Sequence, residues 1–329
     1  MTKLFVRFDD NQLMDAAAPE SSTRKPPKPK RRWFQFSLRT LLLMMLVFGC
    51  GVGWVASERR KNAKLQAAIK VIRELNGQVI FEESKPSWPV WLQWLLGDDS
   101  FRDVYDLNLM GTEITDAELG HLKGLTHLER LRLDDTEITN AGLVHLQGLS
   151  RLQKLWLDST EITDAGLEHL KGLTHLHWLA LNNTEITDAG LEKLKGLIHL
   201  RELWLDRTKI TNAGLEHLKR LTQLDSLDLS NTKITSEGLE HLNGLIQLRE
   251  LSLSYTEITD AGLEHVKGLT QLRRLSLSQT KITDTGLEHL KELTHLQRLS
   301  VSNTKTTVVG RSNLKKALPN CEIWFSHSE

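Results

Sequence analysis

Leucines dominate the pattern of apolar and polar positions from residue 104 to residue 325. They follow one order, L-x-x-L-x-L-x-x-T-x-I-T-D-A-G-L-x-x-L-x-G-L, in which the intervening positions are mostly polar. The tetrad T-[EK]-I-T begins at Thr112 and returns every 24 residues as far as Thr280, with a degenerate copy at Thr304. A strict period of this length, with no insertion, predicts a solenoid of stacked units.

Each unit predicts a strand followed by a helix. In one representative unit the L-x-L element has period two, so Leu155 and Leu157 point to one side and Trp156 to the other. Thr163 and Asp164 are suited to cap the start of a helix. A single unit cannot bury its own leucines, but stacked units share a core, and narrow strands on one side with bulkier helices on the other force curvature.

The predicted fold is therefore α/β: a right-handed solenoid, or horseshoe arc, with a parallel concave sheet of about nine strands and outer helices. The repeats are predicted at 104–305. A C-terminal cap is predicted at 306–329, where a degenerate form of the leucine pattern continues. An N-terminal helix and a Trp-rich cap are predicted at 58–103, including a short strand at 78–81. The tryptophans of that cap are Trp88, Trp91 and Trp94.

The region before the repeats predicts attachment to a membrane. Residues 1–32 form a disordered basic tail, since a segment containing RKPPKPKRR buries too little apolar surface to fold. Residues 33–57 are predicted as a transmembrane anchor, because 40–56 carries no charge and would make a helix about 25 Å long. A cleaved signal peptide is the alternative, disfavoured by the long basic leader and the length of the apolar run.

The orientation of such an anchor depends on the basic residues that flank it. Seven lie at 24–39, before the apolar run, and six lie at 59–73, after it. The positive-inside rule therefore gives a small preference for a single-pass membrane protein with its repeats on the extracytoplasmic side.

The repeat resembles that of the leucine-rich-repeat family, specifically the short L-x-x-L-x-L type of the ribonuclease-inhibitor-like superfamily, over about residues 104–325. It looks closest to membrane-anchored bacterial repeat proteins. The I-T-D-x-G-L turn is also similar to that of F-box substrate receptors, although no segment before the anchor is long enough to be an F-box. The resemblance implies that Thr160 and its equivalents replace the usual ladder Asn. A left-handed turn is predicted at Gly172, where the helix ends.

Charge and composition exclude several classes of function. The 42 basic and 42 acidic side chains sum to zero, so no nucleic-acid partner is indicated. Two cysteines, Cys50 and Cys321, are too few for a disulfide framework or a structural zinc site. No nucleophile elbow, phosphate loop or HExxH motif occurs, so neither an enzyme nor a cofactor is predicted.

Histidine at one repeat position and aspartate at another recur in most units and raise the question of metal binding. Because they recur, the repeat architecture explains them most simply, and we predict no metal site. The histidines are His121, His145, His169, His217, His241, His265 and His289. The aspartates are Asp116, Asp164, Asp188, Asp260 and Asp284, for which helix capping is the predicted role.

Positions that vary between units are better candidates for function. Residues before, between and after the two strand leucines are expected to face the concave surface. Trp156, Trp178 and Trp204 occupy three consecutive strands and would span about 10 Å, whereas later units carry mainly serine. Tryptophans among arginine and acidic neighbours are typical of a binding hot spot, although strands tolerate aromatic residues anyway. The predicted partner-binding residues are Arg130, Arg132, Asp134, Trp156, Asp158, Trp178, Asn182, Trp204 and Asp206.

The sequence thus predicts a non-catalytic, membrane-anchored leucine-rich-repeat protein that binds a protein or peptide through its concave face. The alternative is a cell-envelope glycan-binding module, in which stacked indoles would receive sugar rings. The sequence leaves the oligomeric state open.

Overall fold

The computed structural model describes residues 38–81 and 103–326. The chain forms two compact units, Met1–Arg60 and Lys61–Glu329. The predicted basic tail at 1–32 and all three tryptophans of the predicted N-terminal cap lie outside the described residues.

Helix α1 extends from Leu38 to Glu74 and contains the apolar run of the predicted anchor. Within the described ranges, no helix combines the length and the apolar character needed to cross a membrane. The prediction of a transmembrane anchor at 33–57 is therefore not supported. The apolar run forms only the N-terminal half of α1, and charged residues are frequent in the helix from Glu58 onward.

The second unit contains an eleven-stranded sheet, counted over the described residues, whose strands follow one another in chain order. The first strand pairs antiparallel with the second, and the later pairs are parallel. The nine predicted repeat strands are β2–β10. The strands are β1 Gln78–Phe81, β2 Val104–Asn108, β3 Arg130–Arg132, β4 Lys154–Trp156, β5 Trp178–Ala180, β6 Glu202–Trp204, β7 Ser226–Asp228, β8 Glu250–Ser252, β9 Arg274–Ser276, β10 Arg298–Ser300 and β11 Glu322–Trp324.

A helical segment follows each repeat strand, and in several units it is one α-helical turn that tightens into a 3₁₀ turn. The α-helices after α1 are α2 Asp116–Leu119, α3 Asn140–Leu143, α4 Asp164–Leu167, α5 Asp188–Leu194, α6 Asn212–Leu215, α7 Asp260–Val266, α8 Asp284–His289 and α9 Val308–Ala317. The 3₁₀ helices are Gly120–Gly124, Val144–Leu146, Glu168–Leu170, Glu216–Arg220, Ser236–Leu242 and Leu290–Glu292.

The core is one continuous column of leucines between the sheet and the helical segments. Leu155 and Leu157 are fully buried, and so are Leu167 and Leu170 on the helical side. The predicted α/β repeat solenoid and the register of its strand leucines are confirmed. Because each unit contributes the same apolar positions, the core stays equally dense along the stack.

The left-handed turn of each repeat lies at a different position from the predicted one. Gly172 does not have a positive φ, so the predicted left-handed turn is not at the helix end. The left-handed residue is instead the one before the repeat threonine, as at Ser159, where φ is 54°. The hydroxyl of Thr160 then donates to the carbonyl oxygen of Leu157 at 2.6 Å. This threonine therefore closes the turn inside its own unit rather than linking units.

The link between units is made by the first residue of the D-A-G-L sequence, which also corrects an expectation. Thr187, and not Asp188, caps α5, since its hydroxyl accepts the N–H of Ala189. One carboxylate oxygen of Asp164 accepts the backbone N–H of Thr187 at 2.8 Å, and the other accepts its hydroxyl at 2.6 Å. We call this contact, between residues 23 positions apart, the inter-repeat rung.

The rung explains the glycine of D-A-G-L. A Cβ atom added at Gly214 would overlap the carboxylate of Asp188, and one at Gly190 would overlap that of Asp164. The first repeat has Glu118 at this position, where the described residues include no preceding rung to accommodate. Glu118 instead accepts the backbone N–H of Thr115 and completes a capping box.

Different elements lie at the two ends of the stack. At the start, β1 extends the sheet, and Ile69 and Ile72 of α1 are buried in the core. At the end, α9 and β11 cover the last repeat, and Leu314 is fully buried. Cys321 is also buried, and burial raises the pKa of its thiol to about 11, so it is unreactive at neutral pH.

Candidate functional site

The side of the sheet opposite the leucine core, here called the sheet face, carries the residues that vary between repeats. On β3 the pattern is plain: Arg130 and Arg132 are exposed while Leu131 between them is buried. Strand pairing aligns these positions into rows that cross the sheet, so that Arg132 lies beside Trp156 and Lys154 lies beside Trp178.

Three indoles form a continuous stack on this face. The ring centroids of Trp156 and Trp178 are 5.6 Å apart, and those of Trp178 and Trp204 are 5.5 Å apart. The planes are tilted by 41° and 31°, within the range of favourable aromatic pairs. Ala180 occupies the row between Trp156 and Trp204, and it is fully buried although its side chain belongs to the sheet face. The small residue lets the flanking indoles close over it.

Two cations lie on these rings. The guanidinium carbon of Arg132 is 4.6 Å from the ring centroid of Trp156, and the amine of Lys154 is 4.7 Å from that of Trp178. Both distances are typical of cation–π contacts. The three indoles with Arg132 and Lys154 are called the aromatic patch below.

Arg130 lies beside the patch and has partners of its own. Its guanidinium is 3.7 Å from a carboxylate oxygen of Asp106 and 5.9 Å from the ring centroid of Tyr105. It is therefore held toward the neighbouring strand β2.

The polar residues predicted to surround the patch serve a structural role. One side-chain oxygen of Asp158 accepts the backbone N–H of Asn182 at 2.6 Å, and that of Asn182 accepts the backbone N–H of Asp206 at 2.8 Å. Asp134 makes a longer bond of the same kind to the N–H of Asp158, at 3.4 Å. This polar ladder runs beside the indoles and fixes the spacing of their strands.

Burial alters the acidity of the ladder. Burial and the nearby carboxyl of Asp134 together raise the pKa of Asp158 to about 6, against the lowering effect of its bond to the Asn182 amide. Burial also raises the pKa of Asp134, against the opposing effect of its bond to the Asp158 amide. Near pH 6 the carboxyl of Asp158 therefore carries less than a full negative charge beside the two cations of the aromatic patch.

The structure brings several of the predicted binding residues together and adds one residue that the sequence analysis did not name. The structure stacks Trp178 between Trp156 and Trp204 and places Arg132 on Trp156. Their binding role stays a prediction. Lys154 was not among the predicted binding residues, although it precedes a strand leucine next to Trp156 and could have been found by that position.

A groove in the C-terminal half of the sheet face was also missed. It encloses about 320 Å³ between Trp204 and Trp324, and the small side chains of repeated serines line it. Neighbouring hydroxyls pair across its edge, as in Ser254 with Ser276 at 2.7 Å. The signal was present in the sequence, since the later units turn small at the facing positions.

The recurring histidines lie on the helical side of the repeats. The Nδ1 atom of His169 accepts a hydrogen bond from the side-chain amide of Gln147 at 2.9 Å. Within 38–81 and 103–326 no cluster of His, Cys, Asp or Glu side chains could hold a metal ion.

Family models match the repeats directly. One described as leucine rich repeat matches residues 198–258 and 246–306, and a second of the same description matches 124–146 and 172–195. The chain is a leucine-rich-repeat protein. Among curated proteins, none matches this leucine-rich-repeat protein.

Three solved structures similar to this leucine-rich-repeat protein come from Listeria monocytogenes and Leptospira interrogans. Internalin C2 of Listeria monocytogenes is 27% identical, with a TM-score of 0.49 over 65% of this chain and 84% of its own. A leucine-rich-repeat protein of Leptospira interrogans is 19% identical, with a TM-score of 0.46 over 69% and 74%. A second Listeria internalin, InlF, is 19% identical, with a TM-score of 0.37 over 68% and 87%.

Proposed function

We propose that this protein is a non-catalytic recognition module that binds a protein or peptide through the aromatic patch. The observation that supports the proposal is the unbroken stack of three indoles, partly exposed and overlain by two cations. Tryptophan and arginine side chains of this kind contribute most of the binding energy in protein interfaces. A rigid sheet positions them in advance, which lowers the entropic cost of binding.

The arrangement of the rings favours a polypeptide over a glycan. A sugar ring stacks on an open aromatic face. Arg132 already lies over Trp156 and Lys154 over Trp178, and each of these indoles also packs against a neighbour. The patch therefore offers ring edges and charged groups, which suit the side chains of a protein partner.

The proposal is tested by capturing partners with the tagged full-length chain from a lysate of its source. Trp156→Ala is the test variant. Trp324→Ala is the matched control, since Trp324 is 60% exposed at the far end of the same sheet. We expect Trp156→Ala to reduce recovery of the partner by about tenfold or more, and Trp324→Ala to leave it unchanged.

Circular dichroism must show that both variants keep the parent fold. Equal recovery with the parent and Trp156→Ala would contradict a binding role for the aromatic patch. Loss of the partner with Trp324→Ala alone would instead favour the C-terminal groove.

A single-pass membrane location, with the repeats on the extracytoplasmic side, stays a prediction from the sequence. Separation of membrane and soluble fractions, followed by protease treatment of intact cells, would test both parts of it.

A further inference from the structure

The two cations of the aromatic patch are paired less closely with acidic groups than other cations of the sheet face. Arg274 binds Glu250 at 2.7 Å, and Arg298 lies 3.7 Å from a carboxylate oxygen of Glu322. Over the described ranges, neither Arg132 nor Lys154 forms an ion pair within 4 Å. Their charges act at longer range, where Arg132 opposes the raised pKa of Asp134 and Lys154 opposes that of Glu202. Both side chains are held by the indoles instead.

The carboxyl groups nearest to Arg132 do not take that place. Asp134 is buried, and its side chain is directed to the backbone amide of Asp158. Asp158 is in turn committed to the amide of Asn182. One oxygen of each of these carboxyls is bound to the main chain, and neither carboxyl forms an ion pair with the cations of the aromatic patch.

The geometry of these groups suits carboxylates. A guanidinium that lies on a ring keeps N–H donors at its edge, in the fork that matches a carboxylate. Arg132 and Lys154 lie on adjacent strands, so two acidic side chains of one extended segment can reach them together. Removing the charges from water would strengthen both contacts.

Acidic groups limit the length of such a ligand. Asp106 lies on β2, on one side of the patch, and Glu202 and Asp228 lie on β6 and β7, on the other. A long polyanion such as a nucleic acid would have to cross them. A short acidic stretch would not, because the cationic part of the face is only about two strands wide, roughly 10 Å.

We infer that the partner places an acidic polypeptide segment on the aromatic patch, with carboxylates on Arg132 and Lys154 and an aromatic or aliphatic side chain against the indoles. This inference rests on the proposed function and adds the chemistry of the partner. It predicts binding that weakens as salt rises, since charge pairs at an interface are screened.

The test uses the full-length chain and fluorescein-labelled peptides of about six residues, roughly 20 Å when extended. One peptide alternates glutamate with tyrosine, and matched peptides carry glutamine or lysine in place of glutamate. Fluorescence anisotropy should show the glutamate peptide binding at least about tenfold more tightly than the glutamine peptide at low salt. Raising the salt to about 0.5 M should remove most of that difference.

Matched variants locate the effect. Arg132→Gln/Lys154→Gln should lower the affinity for the glutamate peptide to that of the glutamine peptide. Arg274→Gln/Arg298→Gln removes two cations from the same face and should leave the affinities for both the glutamate and the glutamine peptide unchanged. The inference is overturned if the glutamate and glutamine peptides bind equally, if the lysine peptide binds best, or if a short oligothymidylate binds more tightly than the glutamate peptide. It is also overturned if the glutamate peptide shows no binding up to about 1 mM.

Failure of the inference can be told apart from failure of the proposed function. If glutamate and glutamine peptides bind equally and both are lost in Trp156→Ala, the acidic preference falls while the aromatic patch remains a polypeptide-binding site. If no peptide binds and Trp156→Ala also captures the same proteins as the parent, both are wrong.

Discussion

At the scale of single residues, the inter-repeat rung leaves no room for a side chain at the glycine of D-A-G-L. A Cβ atom at Gly214 would overlap the carboxylate of Asp188, which is fixed by both the N–H and the hydroxyl of Thr211. The neighbour cannot move away without giving up those bonds. The restriction is therefore steric and belongs to the stack, since Gly214 has no unusual backbone angle.

We expect Gly214→Ala to lower the free energy of unfolding by about 1 to 3 kcal/mol, the usual cost of overpacking. Gly196→Ala is the matched control, because a Cβ atom there would meet nothing within 4 Å. Thermal denaturation followed by circular dichroism measures both. Equal melting temperatures for the two variants would show that the Asp188 side chain can move aside without a measurable loss of stability.

The polar ladder predicts a dependence of stability on pH. The pKa of Asp158 is raised to about 6 in the folded protein, above its ordinary value of about 3.9, so the folded state binds the proton more tightly. Its contribution to stability is therefore full below about pH 4 and is lost as the pH rises through about 6. Asp158→Asn keeps an oxygen that can accept the backbone N–H of Asn182. We expect this variant to melt at a higher temperature than the parent, with a larger difference at pH 7 than at pH 4.

Asp284 supplies the opposite case. The Thr307 hydroxyl and amide lower the pKa of its carboxyl, so its contribution is present above the ordinary pKa and is lost as the pH falls. Asp284→Asn should lower the melting temperature at pH 7, with a smaller loss only below about pH 4. If the effect of both substitutions on the melting temperature changed with pH in the same direction, the carboxyls of Asp158 and Asp284 would not have the opposite effects on stability given above.

At the scale of the strand and helix, each unit depends on leucines that are shared with its neighbours. Leu179 on β5 is fully buried between the equivalent leucines of β4 and β6. Leu179→Ala should cost about 2 to 5 kcal/mol, because the rigid stack cannot collapse around the cavity. Ile198→Ala, at a residue that is 50% exposed, should stay within about 0.5 kcal/mol of the parent in chemical denaturation.

The elements show why some features could be predicted from sequence and others could not. The buried leucines of β4 follow from their period of two, which needs no partner to be recognised. The role of Asp164 could not be derived in this way, because its partner Thr187 is identified only once the stacking distance is known. The same holds for the orientation of Lys154 over Trp178, which arises from a neighbouring strand. Local patterns predict elements, whereas contacts between repeats require the register.

At the scale of the molecule, each end of the stack must be covered. A chain that ends at Thr307 would lose α9 and β11 and with them the carbonyl of Trp324, which accepts the N–H of Val301 at 2.9 Å. We expect a lower melting temperature and stronger binding of a hydrophobic dye, because terminal repeats of a solenoid need a cap. A chain that ends at Ser326 should match the parent. An unchanged melting temperature in the shorter chain would show that the last repeat is stable without α9 and β11.

The rung also constrains how a gene for such an array can change length. Each carboxylate or amide meets a threonine 23 residues later, and each strand residue meets its counterpart 24 residues later. Duplicating or deleting one whole period leaves every such pair intact, while any other insertion breaks the pairing at its site. Recombination between copies can therefore lengthen or shorten the scaffold freely. Only the indole stack, made from three units that are not alike, would be interrupted by a new unit inserted within it.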